Sequence, residues 1–459
     1  MRLPHAASRA NALPVAVAAV RHRVFLSLAA LATITFGALV ALPVPVARAA
    51  EKPWTWPPDQ FLPITPQRIA TLPAAERAAW EAFWAASQAF AAKLPPRRAP
   101  EFTPLIPING PGIPGKHSKG LRLTAPRAWF ATEEARVIAD RVVARQSAVG
   151  AWPKGNDYTQ PTPPPAAGEA DVWSGGTLDN DATTWELRFL ALANANATDG
   201  ATSPGLANAT ATPARGAAWR DGFLRGLRYL FAAQFPNGGF PQIFPLVGGY
   251  HDAITYNDDA MVQALDLFRE IAAGRPEFAF VPADLRAECA PRVARGLACI
   301  LATQLRDAAG RRTVWGQQHD ALTLKPCAAR NFEPVSACTN ESASLARFLM
   351  ALPAPSAEVR AALAGAIAWF EKTAQRDLAW TRQGGVGQLS ARPGAPLLWA
   401  RLYELGTDKP LFGDRDRTAH YDVSELSTER RSGYAWYGTW PQAALTESAA
   451  WRARESAGR

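Results

Sequence analysis

Cysteine is scarce in this chain: four residues, at positions 289, 299, 327 and 338, in a sequence of 459. None stands in a CxxC or Cys/His spacing, so nothing points to a structural zinc site. Long apolar runs are confined to the first fifty residues. No later stretch reaches the roughly 18 uninterrupted apolar residues that a spanning helix needs. Period-two alternation is equally rare, which leaves little room for a large sheet. A strong excess of one charge is missing too. The formal net charge is +9, but residues 1–50 carry five arginines and no acid, which leaves +4 for the remainder. That balance is too mild to predict nucleic-acid binding.

What is present begins with an export signal. Arg21 and Arg23 precede an apolar run over residues 24–46, which ends in Ala47-Arg48-Ala49, a small-x-small cleavage pattern. Cleavage after Ala49 is expected, with Pro43 and Pro45 favouring a processed signal over the alternative, an uncleaved anchor. The expectation is an exported monomer, secreted or periplasmic, with no membrane attachment after cleavage. In an oxidising compartment four cysteines allow three pairings. Cys327 with Cys338 would close a short loop around Arg330, and Cys289 with Cys299 would tie a turn to the next helix; four buried thiols are the alternative.

Residues 51–120 are rich in proline, alanine and tryptophan and read as an N-terminal arm, with one helix over residues 74–92. Residues 121–459 read as one helical domain. Thr132 is placed to cap a helix whose first turn holds Glu133 and Glu134. Apolar residues then recur at i, i+3, i+4, i+7 in Ala135–Val142, Met261–Phe268 and Leu345–Leu352, and also from Trp219 and Val359 onward. The pattern predicts a mainly α protein. A faint repeat joins the helices: Gln146-x3-Gly150-x-Trp152-Pro153 recurs as Gln234-x3-Gly238-x-Phe240-Pro241, with a looser echo in Gln304 and Trp315. Helix, polar turn, aromatic, next helix is what a ring of helical hairpins would produce.

The polar groups gather in a few places. Residues 313–341, TVWGQQHDALTLKPCAARNFEPVSACTNE, pack Gln317, Gln318, His319, Asp320, Lys325, Arg330 and Glu333 into one stretch that Pro326 and Pro334 keep from being helical. Lys325 and Arg330 suggest an anionic ligand. His319 and Asp320 are acid/base candidates, although His319 equally suits a buried hydrogen-bonded position and Lys325 a solvated one. Two clusters open helices: Asp179-Asn180-Asp181 and Asn257-Asp258-Asp259. Capping needs only one residue of each, so the two could converge on Ca²⁺, which prefers carboxylate and amide oxygens. Late in the chain Arg401 and Arg415 stand in aromatic segments and suggest carboxylate-binding forks, or plain ion pairs with Glu404, Asp414 and Asp416.

In order along residues 120–445, the blocks WPKGNDY, GTLDNDAT, QFPNGGFPQIFP, ITYNDDAM, TVWGQQHDALTLKPCAARNFEP, WARLYEL, FGDRD and HYD resemble the pectate lyases of polysaccharide lyase family 10. That resemblance implies an (α/α)₃ toroid whose long irregular loops line a cleft. It implies Ca²⁺-dependent β-elimination of polygalacturonate, an acidic polysaccharide. It places the catalytic base at Arg330, with Asp179, Asn180 and Asp258 on the metal and Arg401 and Arg415 on the substrate; Lys325 and His319, from the polar stretch, are expected on the substrate as well. The segment over residues 194–215 fits the pattern poorly and bears on outer subsites. Two other readings share these residues: a glycoside hydrolase using Asp179 and Asp258 as acid and base, and a non-catalytic polyuronate-binding protein. A terpene cyclase shares the Gln-x3-Gly-x-Trp turn, but an export signal does not suit it.

Overall fold

The computed structural model describes residues 54–56, 63–95, 117–161, 175–197 and 213–457. The export signal, the Pro-rich parts of the arm and residues 198–212 of the poorly patterned segment lie outside the described residues. Twelve α-helices occur among the described residues: α1 Pro66–Ala70, α2 Ala74–Ala91, α3 Arg127–Phe130, α4 Glu133–Ala144, α5 Thr184–Ala197, α6 Pro213–Ala233, α7 Ala260–Ala272, α8 Ala283–Thr303, α9 Thr339–Met350, α10 Ala357–Thr373, α11 Thr428–Gly433 and α12 Trp440–Ala457. The protein is mainly α, as the periodicity predicts. Thr132 caps α4 by accepting from Ala135 N–H, with Glu133 and Glu134 in the first turn. Met261, Ala264, Leu265 and Phe268 of α7 are fully buried, as are Leu345 and Leu349 of α9. None of the described helices is long and apolar enough to cross a membrane.

The repeat of Gln turns proves to be a physical device. Gln146, just past α4, donates through Nε2 to Gly150 O at 2.7 Å and to Gly222 O, within α6, at 2.8 Å. Gln234, just past α6, donates to Gly238 O at 3.1 Å and to Arg292 O, within α8, at 3.0 Å. Gln304, just past α8, donates to Thr313 O at 2.8 Å and to Ala362 O, within α10, at 2.9 Å. Each amide therefore closes its own turn and ties one helix to the next, satisfying carbonyls that burial would otherwise leave costly. Gly238 has φ +92°, and a Cβ there would meet Arg295 O at 2.2 Å, so the turn requires glycine. The indoles seal the same turns: Trp152 Nε1 donates to Val142 O and Trp315 Nε1 to Ile300 O, both at 2.7 Å. A further instance follows α10, where Trp399 Nε1 donates to Phe370 O at 2.9 Å.

While α4, α6, α8 and α10 are tied in that sequence, α5, α7 and α9 pack in succession against one another, and α5 pairs with α6, α7 with α8, α9 with α10. The connection from each Gln turn leads to the start of α5, α7 or α9. These three helix starts, with their polar turns, build the site.

The strands are short: β1 Trp54–Thr55, β2 Ile254–Thr255, β3 Gln318–His319, β4 Ala337–Cys338, β5 Leu378–Gln383, β6 Val386–Ala391, β7 Trp399–Ala400, β8 Leu402–Tyr403, β9 Pro410–Gly413, β10 Thr418–His420 and β11 Tyr437–Gly438. One antiparallel sheet has the order β1-β10-β9-β8-β4. Its β4/β8 pairing, Cys338 opposite Leu402, sets Arg401 beside the first turn of α9. The β2/β3 pairing, Thr255 opposite Gln318, sets Gln317 beside the turn that opens α7.

The arm is a brace. Trp80 and Phe83 of α2 lie 5.4 and 5.1 Å from the Phe235 ring, and Phe90 lies 5.2 Å from Phe244. Arg68 Nη2 donates to both carboxylate oxygens of Asp320, at 3.0 and 2.8 Å. All four cysteines are free thiols, which corrects the expected pairings. Cys289 and Cys299 share α8, ten residues apart on one helix, and Cys338 donates instead to Glu341 Oε2 at 2.5 Å.

Glu186, in the first turn of α5, is fully buried and accepts on Oε1 from Ser118 Oγ at 2.9 Å and Tyr158 OH at 3.0 Å, while Oε2 has no hydrogen-bond partner among the described residues. Burial pushes its carboxyl up to about 7. The native state therefore holds this proton to higher pH than the unfolded chain does. The unfolded chain binds fewer protons between the ordinary value and about 7, so stability falls as pH rises through that window. The cost at alkaline pH is about 3 kcal/mol. Urea unfolding at about pH 5 and about pH 8 is expected to show that much less loss in Glu186→Gln than in the wild type; equal losses would refute it.

Candidate active site

Two turns with unusual backbones form an acidic wall. In residues 179–181, which adopt a 3₁₀ turn before α5, Asn180 and Asp181 have φ of 52° and 66°; in residues 257–259, before α7, Asp258 and Asp259 have φ of 51° and 59°. Left-handed backbone is disfavoured for residues with a side chain, and Asn and Asp tolerate it best. Such strain persists only where the surroundings enforce it. Here the two turns clasp each other. Asn180 Nδ2 donates to Asp258 Oδ2 at 2.6 Å, and Asn257 Nδ2 donates to the same oxygen at 2.8 Å. Asp179 accepts from Lys154 Nζ at 2.5 Å on Oδ2 and from Gln242 Nε2 at 2.8 Å on Oδ1.

The two carboxylates differ in charge balance. Burial works against the charge of Asp179, but the Lys154 ammonium outweighs it and holds the carboxyl below its usual range. Asp258 makes no salt bridge among the described residues, and the Arg401 guanidinium only partly offsets its surroundings. Burial first, then Asp179 and Glu341, push it up to about 6. The wall thus holds more negative charge than its neighbours neutralise, which is the condition under which an oxygen-lined site attracts a cation.

The other wall is built of arginines stacked on two rings, Phe332 and Tyr434, whose centroids lie 5.2 Å apart edge to face. Arg330 lies over both, at 4.8 and 5.7 Å. Arg415 and Arg430 lie over Phe332 at 5.4 and 4.2 Å, and Arg401 over Tyr434 at 4.9 Å. Carboxylates aim them. Arg330 donates from Nε to Glu333 Oε2 at 2.8 Å and from Nη2 to Oε1 at 2.5 Å. Arg401 is paired with Glu341, and Arg415 with Glu429 at 3.0 and 3.1 Å. The Arg330 side chain is 42% exposed, whereas Glu333 is 3% exposed, so the cation faces the open side and its partner is sealed beneath. Burial opposes the charge on Arg330, but Glu333 outweighs it and keeps the guanidinium protonated. Burial raises the Glu333 carboxyl, yet Arg330, Gln317 and Tyr434 overcome this and bring it down to about 2.

The pectic acid lyase family matches residues 146–445, more than half of the chain. The chain belongs to that family. It is a polysaccharide lyase. Among solved structures it is similar to the family 10 polysaccharide lyase from Cellvibrio cellulosa: 30% identity over 71% of this chain and 95% of that one, with a TM-score of 0.59. An aspartate-to-alanine mutant of the Cellvibrio lyase in complex with trigalacturonic acid gives 29% identity, 72% and 97% coverage, and a TM-score of 0.60. A search of the curated proteins finds no match.

Within this lyase the structure brings together Asp179, Asn180 and Asp258 on one wall and Arg330, Arg401 and Arg415 on the other. It does not bring His319 to either. The His319 ring is fully buried, receives Gly316 N–H on Nε2 at 3.1 Å, and pairs through Nδ1 with Leu324 O at 3.0 Å. Burial depresses it to about 4, so it is a neutral brace of the loop and the expected substrate contact is corrected. Lys325 is exposed on the turn over residues 320–325, and no hydrogen bond among the described residues ties it to the arginine wall. Cys338 steadies Glu341, the partner of Arg401, rather than Arg330.

Sequence reasoning misses Lys154, Gln242, Glu341 and Tyr434 as parts of the site, and leaves Gln317 without a role. Lys154 and Gln242 stand inside the blocks WPKGNDY and QFPNGGFPQIFP, which is a signal of position only. Tyr434 lies outside every block that carried the resemblance.

Proposed function

We propose that this polysaccharide lyase is a pectate lyase that cleaves α-1,4-polygalacturonate by Ca²⁺-dependent β-elimination, releasing 4,5-unsaturated oligogalacturonates. The observation that carries the reading is the pair of walls: under-neutralised carboxylates at Asp179 and Asp258 beside an array of carboxylate-aimed arginines. The relative bound to trigalacturonic acid supports the substrate class. The succession of Gln-tied helices α4, α6, α8 and α10, with α5, α7 and α9 packed in turn against one another, supports an (α/α)₃ toroid. The N-terminal signal pattern supports export, secreted or periplasmic.

The residues present fit Ca²⁺ in donor chemistry. Asp179, Asp258 and the amide oxygen of Asn180 are hard oxygens on two clasped turns. Among the described residues no cluster of three or more His, Cys, Asp or Glu forms a complete metal site. Backbone carbonyl, water or substrate oxygens would complete the coordination. When bound there, the cation neutralises a uronate carboxylate and makes its α-proton, on C5, more acidic.

The chain's own groups do the rest. Arg401 and Arg415, each held by a carboxylate, present fixed forks to further uronate carboxylates. Arg330 reaches the open side, where negative charge develops as the C5 proton leaves, and a fixed cation at that point favours the transition state. To accept the proton itself, Arg330 would first have to lose a proton of its own and leave its pair with Glu333, the group that holds it protonated.

Polygalacturonate incubated with the protein is expected to develop the ultraviolet absorbance of an unsaturated uronate, and EDTA to abolish it. Reducing ends without that absorbance would replace this reading by hydrolysis, and no product at all would leave binding alone.

A further inference from the structure

We propose that Gln317 is a positioning residue that sets the distance between the acidic wall and Arg330; this rests on the lyase reading above. Gln317 is 5% exposed and lies between the two walls. Its Nε2 donates to Asn257 Oδ1 at 2.8 Å and to Glu333 Oε1 at 3.0 Å. A primary amide nitrogen has two hydrogens, and here one is committed to each wall. On one side Asn257 passes the contact to Asp258 Oδ2 at 2.8 Å. On the other, Glu333 holds Arg330 through two bonds at 2.8 and 2.5 Å. Asp258, Asn257, Gln317, Glu333 and Arg330 thus form one unbroken chain of hydrogen bonds across the site.

The chain is stiff. Tyr256 N–H donates to Gln317 O at 3.0 Å, and the β2/β3 pairing fixes the next residue, so the Gln317 backbone is anchored to the turn that carries Asn257. Tyr434 OH donates to Glu333 Oε1 at 2.7 Å and lies 3.4 Å from Gln317 Oε1, which closes the remaining side. None of these bonds uses the exposed face of Arg330, which stays available to substrate. A uronate held on the acidic wall must present its C5 proton to a cation on the other wall, and a misplacement of about 1 Å between such groups costs about a hundredfold in rate. Gln317 is the one side chain among the described residues shown bonded to both Asn257 and Glu333, so it carries that spacing.

Two variants test this. Gln317→Leu removes both donors at similar size. It is expected to lower kcat about 10- to 100-fold while KM moves less than about threefold, with the thermal midpoint retained. Gln317→Glu places a carboxylate against Glu333. Protonation restores one donor, so its activity relative to the wild type is expected to climb as pH falls from about 9 to about 6. A residue that only fills space would give a ratio flat with pH. A wild-type protein that forms no unsaturated product overturns the lyase reading and this proposal with it. A wild-type lyase whose Gln317→Leu variant turns over within about twofold overturns the proposal alone. If Gln317→Leu fails to fold, the Gln317→Glu profile decides, and a flat ratio overturns the proposal.

Discussion

Replacing Arg330 by alanine is expected to lower turnover of polygalacturonate by about a thousandfold or more while leaving KM within about an order of magnitude. The split follows from the geometry. Arg401 and Arg415 keep their own carboxylate partners and their places over Tyr434 and Phe332, so ground-state recognition survives. What disappears is the one guanidinium of this array that is both aimed by a sealed carboxylate and substantially open to the cleft. Glu333 keeps the donors Gln317 and Tyr434 after the change, so the loop has reason to stay folded. Arg330→Lys is expected to recover only part of the loss, because a single ammonium cannot reproduce the two-bond pairing with Glu333. Steady-state kinetics and the thermal midpoint of both variants check this. Near-normal turnover in Arg330→Ala would remove the arginine from the chemistry and move attention to Lys325, whose alanine variant is the matching control.

The parts of this molecule that could be read from residue order are those set by local pattern. Helical spacing gave α4, α7, α9 and α10, the Thr132 cap follows from its own neighbours, and the Gln turn was visible in two copies. The acid clusters were legible because more oxygens stand at two helix starts than capping requires. What could not be read is set by partners distant in the chain. Glu333 meets Tyr434 across 101 residues and Gln317 meets Tyr434 across 117, and no local rule selects those pairs. His319 looked reactive because its type is reactive; only tertiary burial shows that both ring nitrogens are spent on the backbone. The cysteines misled for a related reason. Even count and exported context favour pairing, yet Cys289 and Cys299 share a helix and Cys338 is committed to Glu341.

Asp258→Asn is expected to separate cation binding from stability, and in opposite directions. In the wild type the Asp258 carboxylate is half-buried beside Asp179 and Glu341, and this desolvation with the two like charges pushes it up to about 6. Above that pH its charge costs folding energy, so a neutral amide of the same size relieves a penalty. Without metal, Asp258→Asn is therefore expected to melt no lower than the wild type at about pH 8, and to melt higher if Asn180 and Asn257 find an acceptor in the new side-chain oxygen. Function is expected to move the other way. Removing one of two hard carboxylates from the site lowers Ca²⁺ affinity, and second partners alone typically shift such affinities 10- to 100-fold. Ca²⁺ at about a hundred times its dissociation constant stabilises a native site by about 2.7 kcal/mol. The wild type is thus expected to gain thermal stability on Ca²⁺ addition, and Asp258→Asn to gain far less at the same concentration. Scanning calorimetry with and without Ca²⁺ reads this without any assay of activity. An equal Ca²⁺-induced rise in both proteins would take Asp258 out of the cation site.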